Sequence, residues 1–227
     1  MTTASTLPTS PLLRLRDSAA FALSAVLSPY LVIPGATFGI VANQHVPPGQ
    51  NARRTLLMWS ALSVFFSTVI PALFVVTQVL RGKITDVHVM EREQREGPFL
   101  VAILSSAVGA WAVKQCGAPY PVWSLNMVLA INGVVLLLIT TRWKISMHVS
   151  VLSATVVAVV LLMPNAVRWP LLALIPALIW ARVIRKRHSF WQGIGGCTVA
   201  SIVTAGVLWS LSHVYNMPEM WSVFSGR

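Results

Sequence analysis

Three stretches of this chain gather the side chains that handle phosphate chemistry. The first, 81–97, holds Arg81, Lys83, His88, Arg92 and Arg95. The second, 141–147, holds Arg142, Lys144 and Ser146, with His148 just beyond it. The third, 182–188, holds Arg182, Arg185, Lys186, Arg187 and His188. Guanidinium groups bind phosphate oxygens in bidentate fashion and stay charged at any accessible pH. Several around one phosphate neutralise both its ground state and the equatorial oxygens of a transition state. Histidine supplies what arginine cannot: near neutral pH one imidazole attacks phosphorus while another, protonated, delivers a proton to the leaving alkoxide.

The elements that must position these groups are apolar. Of 227 residues, 56% are hydrophobic and 10% charged, against roughly 25% charged in a soluble domain. The 17 Lys and Arg outnumber the 6 Asp and Glu, for a formal charge of +11, a balance that points to nucleic acid, anionic headgroups or a phosphate substrate. A mean hydropathy of +0.72 excludes nucleic acid and leaves the bilayer as the partner. The expected fold is all-α, a polytopic transmembrane bundle of six to seven spans. Residues 1–17 read as a polar N-terminal tail, 18–215 as one helical domain and 216–227 as a polar C-terminal tail. The spans fall at 18–42, 55–80, 99–113, 122–140, 145–163, 171–184 and 190–213. Pro29 and Pro34 are expected to kink the first and Pro71 the second, and Gly193, Gly195 and Gly196 to allow close helix approach in the last. The nine tryptophans read as interfacial anchors. Cys116 and Cys197 suggest neither a disulfide framework nor a thiolate metal site.

With seven spans, the N-terminal tail and the three charged stretches fall on one side of the membrane, so the site is expected at that interface. That side carries twelve of the basic residues and the other carries five, namely Arg53, Arg54, Lys114, Arg168 and Arg227. The positive-inside rule then makes the charged face cytoplasmic, in a multi-pass protein of the cell membrane.

The three stretches resemble, in order, the motifs of the membrane type-2 phosphatidic acid phosphatases, the superfamily that includes vanadium haloperoxidases. The resemblance covers roughly residues 83–196. The family's first motif, lysine followed after six residues by Arg-Pro, is matched in spacing by His88 and Arg95, with Glu96 and Gly97 inserted before Pro98; Lys83 or Arg92 supplies the missing charge. The second, Pro-Ser-Gly-His, resembles Ile145-Ser146-Met147-His148. The third, Ser-Arg, then His, then Asp, resembles Ala181-Arg182 followed by His188, with Gln192 standing where the aspartate belongs. The resemblance implies that His188 is the nucleophile and His148 the general acid. Arg95, Arg182, Lys144, Ser146, His88 and Arg92 would hold phosphate, and Gln192 would orient His188 without supplying charge.

The function this implies is metal-independent hydrolysis of a lipid phosphate, either phosphatidic acid or a polyprenyl phosphate or diphosphate, through a phosphohistidine and without a cofactor. The alternative is a catalytically degenerate protein on the same fold that binds lipid phosphate. Other readings of the residues stand beside these. Arg185, Lys186 and Arg187 also fit topology and headgroup contact, and Glu91, Glu93 and Glu96 fit a solvated, arginine-paired turn better than a magnesium site. Enzymes that bind magnesium diphosphate use repeated aspartates, whereas the chain has only Asp17 and Asp86. A transporter would more often bury acids at the midplane, and these helix interiors carry none.

Overall fold

The computed structural model describes residues 10–87, 89, 91–163 and 166–215. Among them every regular element is helical: α1 (Pro11–Val26), α2 (Pro29–Ala42), α3 (Ala52–Val64), α4 (Ile70–Leu80), α5 (Glu96–Gln115), α6 (Tyr120–Thr140), α7 (Met147–Leu162), α8 (Leu174–Ile184) and α9 (Phe190–Val214). A π-helical turn, Phe65–Val69, joins α3 to α4, and a 3₁₀ segment, Ala166–Ala173, leads into α8. Each apolar stretch of the sequence is helical.

Four helices are long and apolar enough to cross a membrane: Ala52–Leu80, Glu96–Gln115, Tyr120–Thr140 and Phe190–Val214. The count is five if the bent pair α1–α2 is one span. The expectation of six to seven spans is therefore corrected. At 1.5 Å per residue α7 is about 24 Å long and α8 about 16 Å, both short of a hydrocarbon core of about 30 Å. Their apolarity has another cause. Thirteen of the sixteen residues of α7 are buried, because α2, α6, α8 and α9 all pack against it. It is apolar as the centre of the bundle and meets little lipid.

Boundaries differ in instructive ways. The first helix starts at Pro11, inside the stretch read as a tail: Ser10 precedes it in extended conformation and Pro11 opens the helix, where its missing N–H is harmless. The bend after it, 54°, falls at Leu27–Ser28 ahead of Pro29, and Pro34 sits inside α2. Pro71 has no N–H for the carbonyl of Ser67, and the helix meets this by widening: Ile70 N–H reaches back to Phe65 O. The third expected span begins earlier, at Glu96, with Pro98 in its first turn. Trp59 and Trp123 are internal rather than interfacial, with the Trp59 Nε1–H donating to Cys116 O at 3.1 Å. The C-terminal tail, 216–227, lies outside the described residues.

Three of the four glycines of α9, Gly193, Gly195 and Gly196, set its packing. A Cβ on Gly196 would stand 2.7 Å from Ser150 Oγ and 3.1 Å from Ser146 O. One on Gly193 would stand 3.0 Å from Ile179, and one on Gly195 would collide with the Trp143 ring. The start of α9 is thereby drawn against α7, α8 and the turn before α7. α7, α8 and α9, which carry His148, Arg182 and Gln192, are fixed to one another by this contact.

Candidate active site

α5, α7 and α9 all start at the same end of the bundle, and their starting residues touch. Arg95, the residue before α5, donates from Nη1 to Ile145 O at 3.4 Å, and Ser146 N–H, just before α7, donates to Gln192 O in α9 at 3.3 Å. The three charged stretches thus converge, although the span count that led to that expectation was too high. The reason is that α7 and α8 still run between the two ends inside the bundle.

Arg95 is 4% exposed. Its Nε donates to Val89 O at 3.1 Å. Val89 has φ +46°, a left-handed conformation unusual for a β-branched residue, and this turns its carbonyl to the arginine. Burial pulls the Arg95 guanidinium below its ordinary range, against the opposing charges of Glu93 and Glu91. Arg182 is equally buried, at 5%, in the last turn of α8. Around it stand Arg187, Arg185 and Arg95, with Asp86 as the acid. The turn after α8 explains that crowding. Lys186 N–H donates to Val183 O and Arg187 N–H to Arg182 O, while Lys186 takes φ +52°. This is a Schellman ending with a lysine where glycine is usual.

His188 follows at once and is also buried. Its Nδ1 lies 3.2 Å from Gln192 Oε1, and the same oxygen accepts Ser189 N–H at 3.1 Å while Gln192 N–H donates to Ser189 Oγ at 3.3 Å. The Ser189 amide can only donate, so the Gln192 atom facing it is the oxygen, and His188 Nδ1 must then carry the proton. Its Nε2 is left with the lone pair. Burial, and next the charge of Arg182, lower the pKa of His188 to about 4 from 6.5; the bond to Gln192 opposes this, and Arg95 and Lys144 reinforce it. At neutral pH His188 is an uncharged imidazole set among cations, protonated on the nitrogen that faces Gln192.

His148, in the first turn of α7, is buried. It lines a cavity of about 170 Å³ together with Arg95. The rest of that cavity is mostly apolar: Ile33 from α2, Pro71 and Val75 from α4, Phe99 from α5 and Val151 from α7. Tyr30 also lines it, and its hydroxyl donates to Val87 O at 3.0 Å, tying the 81–89 segment to α2. Ser146 is fully buried, and its Oγ has no partner among the described residues. Lys144 is exposed, and its charge acts on His188. His88 and the side chain of Arg92 lie outside the described residues. No group of three or more His, Cys, Asp or Glu side chains is placed to hold a metal among the described residues.

Sequence reasoning missed two kinds of residue. The capping box Ser189-Phe190-Trp191-Gln192 was visible as a Ser followed three residues later by Gln, and it gives Gln192 a helix-starting role besides its contact with His188. Ser24 and Tyr30 had no local signal, because only the packing of α1 and α2 brings them to this end. Compared with models of known protein families, with curated proteins and with solved structures, the chain matches none.

Proposed function

We propose that the chain is a membrane-embedded lipid phosphate phosphohydrolase that works without a metal. The observation that carries this reading is His188: a buried, neutral imidazole whose Nδ1 proton is fixed on Gln192 and whose surroundings are cationic. The order of its motifs, resembling the type-2 phosphatidic acid phosphatases, supports it. So does the apolar cavity headed by Arg95 and His148, which suits a hydrocarbon chain with a phosphate at its end.

In the proposed reaction His188 Nε2 attacks phosphorus, forming an N–P bond as the bond from phosphorus to the lipid oxygen breaks. His148, protonated, gives its proton to the departing alkoxide. Arg95, Arg182 and Lys144, with Ser146 beneath, hold the non-bridging oxygens. Neutral His148 then takes a proton from water, which attacks phosphorus and releases inorganic phosphate with His188 restored. The substrate is phosphatidic acid or a polyprenyl phosphate or diphosphate. By its excess of basic residues the site end faces the cytoplasm, and cysteine labelling at 81–87 from outside intact cells would reverse that assignment.

A second reading is a lipid-phosphate binding protein without turnover. It is favoured by Gln192, which leaves the imidazolium that forms on attack without a neighbouring carboxylate. Phosphate release from a panel of lipid phosphates, by purified protein in detergent with EDTA, separates the two. Release that survives the chelator and falls about 10³-fold or more in His188→Ala is expected. A folded wild type that binds the lipids yet releases no more phosphate than the variant establishes the second reading.

A further inference from the structure

Arg182 belongs to the converging cluster, yet it does not line the apolar cavity that holds Arg95 and His148. It lines a separate cavity of about 120 Å³, shared with Phe21, Ser24 and Ala25 of α1, Asp86, Arg185 and Arg187. Two nearly buried polar residues border this space: Arg182, whose Nε has no hydrogen-bond partner among the described residues, and Ser24, whose Oγ has none either. A buried donor left unmatched costs about 1–3 kcal/mol, more when charged, so a wall that carries two is suited to an acceptor between them.

The charges agree. Three guanidinium groups face one carboxylate across the cavity, an excess of two positive charges. Asp17, the next acid along that surface, is paired with Arg16 at 2.9 Å. The backbone agrees as well. The left-handed Lys186 turns Arg187 back beside Arg182, and Arg185 is held over the Phe21 ring at 4.7 Å. Packing of α1 on α8 closes the space from the other side.

We propose that this cavity is a second oxyanion site, built for a tetrahedral dianion of the phosphate type and reached past Arg182 from the reacting centre. Taken with the lipid-phosphate reading, on which this clause rests, the occupant is either a second phosphate group carried by the substrate or free inorganic phosphate. Ser24, Arg185 and Arg187 are the residues that make it.

Calorimetric titration of the detergent-purified full chain with inorganic phosphate and with methylenediphosphonate, a diphosphate that is not hydrolysed, tests the site. Wild type is compared with Arg185→Gln and Ser24→Ala, the latter a small change that leaves α1 intact. If the site takes a substrate's second phosphate, Arg185→Gln weakens methylenediphosphonate about tenfold and Ser24→Ala about threefold, while inorganic phosphate changes less than about twofold. If it takes free phosphate, both ligands weaken by the same factor in both variants, which also supports the site. Unchanged affinity for both ligands in both variants, or no binding by wild type, overturns it. Because nothing turns over in these titrations, failure of hydrolysis elsewhere would sink the enzyme reading and leave this result standing.

Discussion

Where α5, α7 and α9 begin, Arg95 from one charged segment and Arg182 and His188 from another lie within one another's fields, and Arg95 and Arg182 each border a cavity. Beyond the other ends of the helices, the cations are kept apart and dealt with singly. Lys114 sits against the Tyr215 and Trp123 rings at 4.4 and 5.2 Å and donates to Tyr215 Oη at 2.6 Å. Arg168, 7% exposed, lies over Trp169 at 5.4 Å. Buried positive charge is therefore common to both regions and does not itself mark a site. What distinguishes the first is that cations from different segments lie within one another's fields, next to a neutral histidine.

The largest effect should come from exchanging one buried arginine from each region for methionine. Arg182→Met is expected to lower phosphate release at least about a hundredfold, since it removes a forked phosphate donor. Arg168→Met should leave release unchanged and raise the thermal midpoint, because replacing a buried ion by an apolar side chain of similar volume stabilises by about 1–4 kcal/mol. Equal losses of release in the two variants would erase the distinction between the regions.

The same contrast exists along one helix. Gly196, at the start of α9, has no room for a methyl, whereas a Cβ on Gly206 would meet nothing within 4 Å. Gly196→Ala is expected to destabilise by about 1–3 kcal/mol and to impair release with it, because Ser146 O is among the atoms that must move. Gly206→Ala should stabilise by about 0.5–1 kcal/mol. Thermal unfolding of both in the same detergent checks the pair.

Acid should act on the site end first. The folded pKa of His188, about 4, lies below its ordinary 6.5, so between those values the unfolded chain binds more protons than the folded one. The stability term is complete above pH 6.5 and is lost as pH falls through about 4. The acid limb of kcat/KM is expected near 4 rather than 6.5. Gln192→Asp should move that limb upward by placing a carboxylate beside the imidazolium. A limb at 6.5 in wild type would mean that neither burial nor the charge of Arg182 acts on His188 as described. The smallest effect is expected at Lys114→Met, which should cost no more than about 1 kcal/mol of stability and no activity.

The sequence made the helices legible through their apolar runs but not how many of them meet lipid. Hydropathy cannot separate α7, which is apolar because α2, α6, α8 and α9 enclose it, from α6, which is long enough to span. The site was legible where it is local: Arg182 and His188 lie six residues apart across one turn, and Ser146 and His148 lie two apart. It was not legible where tertiary packing makes it, as at Ser24 or Tyr30. Gln192 lies between the two cases: its spacing from Ser189 writes a capping box in the local sequence, whereas its contact with His188 depends on the fold of the turn.

That pattern ties the chemistry to the integrity of a single helical turn. Gln192 Oε1 is shared by the amide that opens α9 and by the His188 ring. When the first turn of α9 frays, the oxygen is released and the imidazole is free to exchange its proton between nitrogens. Half of the histidine's options then present N–H instead of a lone pair to phosphorus. Fraying needs far less energy than global unfolding, so heat should silence such a protein while its helix content is still intact.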